Sequence, residues 1–365
     1  MKAILPFELK YTPISELALI NFEKKPDTIY KGLELQYIDG EDMGKGYRVI
    51  AYRNDAYVDV YDEKTIKYIP EEKFDVAQKG LKQHVQRQFE NTGFYKEDGN
   101  VHISFTFMDC DNRKIEVDIK EHAKNKSIPM NLLAPIGYSS ERPICLPVFF
   151  LYNFDFVRRS KTDCKVLIDG RRLKLDPFPF PVPMNMQWRY YTRYSLDCQI
   201  LEFLNTDSGQ VKTVELKEEL NYAEGAVEYR FEENNGDMAL SMICINDVRH
   251  PLRVEFQPPM SFVPHKGEFH IKPEAQMGSI DGIYQVSEEG DHIRIEVVPD
   301  QGWRSVPNSR ITKLILGEKS IFCNWSKKYS YVQKLNRNNL STEAKWTNFN
   351  ITSQDKYSQA NMSYI

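Results

Sequence analysis

The acid best placed to do chemistry in this chain is Asp155, near the end of the apolar run LPVFFLYNFDFV. Read as a strand over Val148–Val157, the run turns Asn153 and Asp155 to the face that carries Phe149, Leu151 and Val157. A carboxyl on an apolar face loses hydration, which raises its pKa. Such a group can act as general acid or proton relay near neutral pH. The plainer reading is a surface acid paired with Arg158 or Arg159.

A second constellation follows in DPFPFPVPMNMQWRYYTRYSLDCQILEF, residues 176–203. Period-two alternation puts Met186, Trp188, Tyr190, Thr192 and Tyr194 on one side and Arg189 and Arg193 on the other. Trp188, Tyr190 and Tyr194 would form a flat wall for a ring, and Arg189 and Arg193 a clamp for a carboxylate. The two sides cannot line one pocket together. Large aromatics chiefly fill cores, so a buried stripe with two solvated arginines is the plainer alternative.

A third group is His265, Glu268 and His270 in HKGEFH, with His250 or His292 within reach of completing a metal site. The spacing is not that of a known metal motif, so no metal is expected. Asp109, Asp111 and Asn112 lack the glycine and distal glutamate of a calcium loop, and read as turn residues. No GxGxxG, GxxxxGK, HExxH or GxSxG is present, and no cofactor is expected.

The elements that must position these residues are strands. Asp39-Gly40, Asp98-Gly99, Asp169-Gly170, Asn235-Gly236 and Asp281-Gly282 supply turns between alternating runs. VLIDGRRLKL, Val166 to Leu175, is the clearest hairpin. Aromatics make up 12% of the chain, which favours sheets over helix bundles. The expected fold class is mostly β: two antiparallel barrels or sandwiches with one short helix near residues 74–89. Phe74, Ala77, Leu81, Val85 and Phe89 carry the helical spacing. A length of 365 residues exceeds one ordinary core. The expected division is an N-terminal β domain over 1–176, a proline-rich connector over 177–185, a C-terminal β domain over 186–335 and an irregular tail over 336–365. FTFMDCDNRKIEVDIKE and LEFLNTDSGQVKTVELKE read as hairpins that align with one insertion, a hint of two related β-domains.

A net charge of −4 without a basic block argues against a nucleic-acid partner. No apolar run approaches the ~20 residues of a membrane helix. With no secretory signal and six dispersed cysteines that read as reduced thiols, the expected compartment is the cytoplasm.

Two β-rich parts, a proline connector, abundant Tyr and Trp and no nucleotide signature resemble the lipocalin-like double β-barrel proteins of the carotenoid-hydratase and AttH type. The resemblance is one of architecture and transfers no residue. It implies a hydrophobic ligand held where the halves meet. It also implies hydration, cyclisation or isomerisation without a cofactor, by placed acids and tyrosines. The expected partner is therefore a lipophilic or aromatic small molecule, with Asp155 as the catalytic acid and Asn153, Trp188, Tyr190, Arg193 and Tyr194 against the ligand. Two other readings stay open: a carbohydrate-binding or carbohydrate-processing β-protein, and a non-catalytic assembly module.

Overall fold

The structure is a computed structural model that describes residues 1–24, 27–40, 43–67, 76, 80–124, 127–134, 145–178, 188–204, 209–234, 236–273, 276–317, 322 and 324–348. It is mostly β, in antiparallel sheets, as the turn spacing and alternation predict. Among the described residues no helix is long and apolar enough to cross a membrane. Among the described residues, Cys110, Cys145, Cys164, Cys198 and Cys244 form no disulfide.

The chain forms two compact units, and they are not consecutive halves. Unit 1 comprises Met1–Tyr11, Leu132–Phe149 and Ile200–Ile365; unit 2 comprises Thr12–Asn131 and Phe150–Gln199. The chain crosses the division four times, each time inside a strand: Leu9–Asn21, Met130–Ala134, Cys145–Arg158 and Asp197–Leu204. The proline run therefore does not mark the boundary. Its residues 179–185 lie outside the described ones, while Pro177 bridges Tyr190.

Unit 2 is a sandwich. Its larger sheet places Arg189–Ser195, Leu9–Asn21, Tyr30–Gly40, Gly44–Arg53, Val58–Glu63 and Leu81–Arg87 side by side. The smaller sheet has five strands in the order Arg171–Arg172, Thr162–Ile168, Lys114–Glu121, Asn100–Met108, Glu90–Glu97. Lys114–Glu121 alternates as its sequence KIEVDIKE requires, with Ile115, Val117 and Ile119 buried. These residues meet Leu35, Val49, Tyr61 and Tyr194 of the larger sheet in one apolar cluster. Asp169 and Gly170 take φ of 51° and 73°, the positive values a two-residue hairpin turn needs.

One polar device fixes the tip of the sandwich. Asp109 is fully buried and accepts from the backbone N–H of Asp111 at 2.9 Å and of Arg113 at 2.8 Å. It also accepts from Arg113 Nε at 2.8 Å, while Arg113 Nη1 reaches Asp27 at 2.9 Å. Cys110 N–H donates to Tyr61 Oη at 3.2 Å, and Tyr61 Oη lies 2.8 Å from Tyr30 Oη.

Unit 1 is built on a ten-stranded antiparallel run from Gly209–Gln210 through Ser341–Asn348 and back to Asn221–Glu224 at the other edge. Lys212, beside the first edge, reaches Glu224 in the other at 2.6 Å. The sheet therefore curls on itself, and its inner face carries Phe256, Tyr284, Tyr331 and Trp346, all buried. Phe7 packs among them, 5.8 Å from Phe256 and 6.2 Å from Tyr331 between ring centroids.

Four local expectations are corrected. The stretch expected as a helix near 74–89 holds a strand, Leu81–Arg87, parallel to Val58–Glu63; residues 74–75 and 77–79 lie outside the described ones. It is an edge strand in which only His84 is buried, so it shows no period-two apolar pattern. A helix lies instead at Arg310–Leu316, within which the sequence of Lys313–Leu316 reads as a strand; Ser309 Oγ caps it by accepting from Thr312 N–H at 3.1 Å. Ser341–Asn348, expected as irregular tail, is a strand because Tyr329–Asn336 pairs with it along its whole length. The echoed segment 201–218 is no hairpin: Gly209–Gln210 pairs with Ser341 and Thr342, and Thr213–Glu215 with Lys2–Ile4.

Asp109→Ala removes three hydrogen bonds and leaves Arg113 half-paired, so it should cost ~3–5 kcal/mol in urea unfolding. The neighbouring Asp111→Ala should stay within ~0.5 kcal/mol.

Candidate functional site

The period of two assigns every side chain of the larger sheet in unit 2 to one of two faces. One register row reads Tyr194, Ala18, Leu35, Val49, Tyr61 and Val85, and faces the apolar core. Following that face toward one end brings up Glu16, which pairs in register with Tyr37, itself opposite Tyr47. Here the core gives way to half-buried polar groups.

This end has the geometry of a small site. The Tyr37 and Tyr47 rings lie 4.9 Å apart, tilted by 54°. The backbone of Phe94 hydrogen-bonds the Tyr47 phenol, and the Phe94 ring meets Tyr194 edge-on at 6.1 Å. Burial, reinforced by the negative charge of Asp197, pushes the Glu16 carboxyl up to about 7. Asp197 opens the strand that pairs with Leu9–Asn21, which brings the second carboxylate to this end. Burial and the Glu16 charge push the Tyr47 phenol up to about 12, so it remains a proton donor at neutral pH. A carboxyl poised at neutrality beside a second acid and a wall of rings can give or take a proton on a flat apolar guest.

The expected site residues separate. Asp155 and Tyr194 come together as direct register partners. Asp155 is buried, pairs with Arg189 Nη1 at 2.8 Å and accepts from Phe156 N–H at 2.8 Å and from Ser127 Oγ. Its ion-pair partner is thus Arg189 rather than Arg158 or Arg159. Tyr194 is fully buried, with Lys96 Nζ 5.5 Å from its ring centre; burial first, then the charge of Asp155, pushes its phenol upward. Asn153 departs from the expected alternation: its φ is 53° and its side chain is exposed while Asp155 is buried. Trp188 is 62% exposed. Tyr190 is half-buried beneath the Arg159 guanidinium at 5.6 Å. On that side of the unit, Asp118, Asp163, Cys164, Lys165 and Arg172 line an open depression of about 490 Å³. Burial pushes the Cys164 thiol there up to about 11, which leaves it a poor nucleophile at neutral pH.

Arg193 sits on the other face of the large sheet. Its row reads Arg193, Leu19, Glu34, Ile50, Val60 and His84, followed two residues on by Gln36, Arg48 and Asp62. Its guanidinium lies 4.5 Å from the Tyr191 ring centre. Tyr52 donates to Glu34 at 2.5 Å, and Gln36 to the other Glu34 oxygen at 2.7 Å. Arg48 holds Asp62 through two bonds of 2.6 and 2.8 Å, and His84 Nε2 lies 2.8 Å from the second Asp62 oxygen. Each carboxylate here meets a cation or a hydrogen-bond donor, which is the arrangement of a structural network.

In unit 1, His270 Nδ1 lies 2.7 Å from Asp281, while His265 bonds the Val263 carbonyl and Tyr284 Oη. The two histidines belong to separate networks. Among the described residues no group of three or more His, Cys, Asp or Glu is arranged to hold a metal ion. Comparison with protein-family models, curated proteins and solved structures finds no match for the chain.

Glu16 and Asp197 escape a linear reading because their interaction joins distant segments. The available local signal is an acid, Glu16, set among apolar neighbours in PISELALI.

Two pH dependences follow. A carboxyl raised in the fold weakens the folded state once it must ionise, so the Glu16 penalty sets in between about pH 4.5 and 7. Glu16→Gln should match wild type at pH 4 and exceed it by ~1 kcal/mol at pH 8, a figure already reduced for solvent screening. Asp62 has the opposite sign. Burial alone would raise it, but the Arg48 and His84 bonds outweigh burial and hold it below the ordinary carboxylate value. Its contribution is present above its unfolded pKa and is lost as pH falls through the folded one. Asp62→Asn should cost ~3–5 kcal/mol at pH 7 in urea unfolding, and less as the solution is acidified below about pH 4.

Proposed function

We propose that unit 2 binds a lipophilic or aromatic small molecule against Tyr37, Tyr47 and Phe94 and moves a proton on it with Glu16, without a cofactor. The reading is carried by one observation: a half-buried carboxyl poised near pH 7 at the aromatic end of the sandwich, beside the second acid Asp197. Folding gains nothing from placing two acids together, whereas acid–base catalysis needs such a perturbed group. Glu16 is the proton donor and acceptor, and Tyr47 a hydrogen-bond donor to an oxygen of the guest. Asp155 and Tyr194 form the inner wall, with Asp155 held by Arg189. The chemistry that suits this set is protonation of a double bond or carbonyl, hence hydration, cyclisation or isomerisation. The protein would act in the cytoplasm. Asn153, Trp188, Tyr190 and Arg193 lie elsewhere and have no part in this reading.

Native mass spectrometry of protein purified from its own host should reveal a co-purified neutral or aromatic molecule. With that compound as substrate, Glu16→Gln should lower turnover ~100-fold or more, and the wild-type pH profile should break near 7. Wild-type turnover in the variant would remove Glu16 from the chemistry. A co-purified oligosaccharide, lost on Trp188→Ala, would move the site to the exposed tryptophan and favour carbohydrate recognition.

A further inference from the structure

Unit 1 holds a cluster of buried polar atoms that no group among the described residues satisfies. Trp325 Nε1, Ser326 Oγ, Gln333 Oε1 and Trp346 Nε1 are all shut off from solvent and have no hydrogen-bond partner among the described residues. Their residues are 0 to 3% exposed. The half-buried Asn348 adds an amide whose oxygen and nitrogen are both unpartnered.

Register places most of them together. Tyr329 faces Asn348, Tyr331 faces Trp346 and Gln333 faces Ala344 across the last strand pair, so all of these point to the inner face of the curled sheet. Trp325 and Ser326 enter from the turn just before that pair; the Trp325 ring lies 6.3 Å from Tyr329, and Tyr329 lies 6.3 Å from Trp346. Trp346 also lies 5.1 Å from Tyr331 and 6.5 Å from Phe203. The neighbouring strand contributes Ile295 and Val297 to these rows. None of the register partners named here carries a carboxylate, amine, guanidine or imidazole.

An unpartnered buried polar group costs ~1–3 kcal/mol, and native proteins keep few of them. Trp303, a buried indole of the same unit, avoids the cost: its Nε1 donates to the Met277 carbonyl at 2.9 Å. We infer that this inner face is a second binding site, built for a neutral, ring-bearing molecule that carries carbonyl or hydroxyl oxygens. The two indole N–H groups would donate to its oxygens, Gln333 Oε1 would accept from a hydroxyl, and the rings would stack against it. A charged ligand is excluded, because nothing on this face would compensate its lost hydration. The site is independent of Glu16 and needs no catalysis. Its atoms are closed to solvent in this structure, so entry requires local opening and association should be slow.

The test uses full-length Trp188→Phe protein, in which the three remaining tryptophans belong to unit 1. The probe is Nile red, a neutral planar dye with a carbonyl oxygen. Saturable one-to-one binding with energy transfer from tryptophan is expected. Gln333→Leu and Trp346→Phe should each weaken it three- to ten-fold. Absence of saturable binding, or equal affinity in both variants, overturns the proposal. So does a Gln333→Leu protein that melts higher yet binds as before, since the unpaired atoms would then be a packing flaw or hold ordered water only. Where Trp346→Phe does not fold, Gln333→Leu, close in volume, decides alone.

Discussion

A wide sheet has two faces, and a second sheet can dry only one of them. In unit 2 this constraint arranges nearly everything else. The row through Ala18, Leu35, Val49 and Tyr61 packs against Ile115, Val117 and Ile119 and supplies the apolar core. The alternate row must then carry different chemistry, and it carries Glu34, Arg48, Asp62, His84 and Arg193, all buried. A one-residue slip in register would exchange the two sets, placing charges in the core and Leu35 outside it. The charged row therefore fixes register as firmly as the apolar row does. Its internal pairing, such as the two-bond contact of Arg48 with Asp62, makes its burial tolerable.

Strands with one wet and one dry side were legible in the sequence, because alternation is what the physics demands of them. KIEVDIKE and the Asp169-Gly170 hairpin are cases in point. Leu81–Arg87 was not legible: an edge strand parallel to its one neighbour buries little, and its sparse apolar residues happen to fit a helical spacing. The short helix Arg310–Leu316 was missed for the converse reason. Its isoleucines suggest a strand, and only the capping Ser309 signals otherwise. The interleaving of the two units left no local trace, since the chain passes between them inside strands of ordinary composition.

For the site, the sequence pointed to Asp155, whereas the reading proposed above rests on a different acid of the same sheet, Glu16. Asp155 and Tyr194 were identified from alternation within their own strands, and the structure sets them opposite each other. Alternation could not show that Asp155 meets Arg189, nor that Asn153 breaks the pattern with a positive φ. Glu16 was not singled out, because what perturbs it is burial in the folded sheet and then a carboxylate brought in by another strand.

Burial alone does not distinguish a working group from a structural one; the sign of its neighbours does. Arg48, Asp62 and His84 are more deeply buried than Glu16, yet each meets a complementary partner, and the network costs the fold little. Glu16 instead approaches a like charge, and relieves the repulsion by keeping its proton to higher pH. The indole N–H groups of Trp325 and Trp346 meet no hydrogen-bond acceptor among the described residues. A chain that satisfies Asp109 with three donors and Trp303 with a carbonyl has the means to satisfy or dispense with these groups too. Where it does neither, the local rules of stability have yielded to something else, and on the readings proposed above a guest that takes the proton or fills the empty hydrogen bonds would supply the missing term.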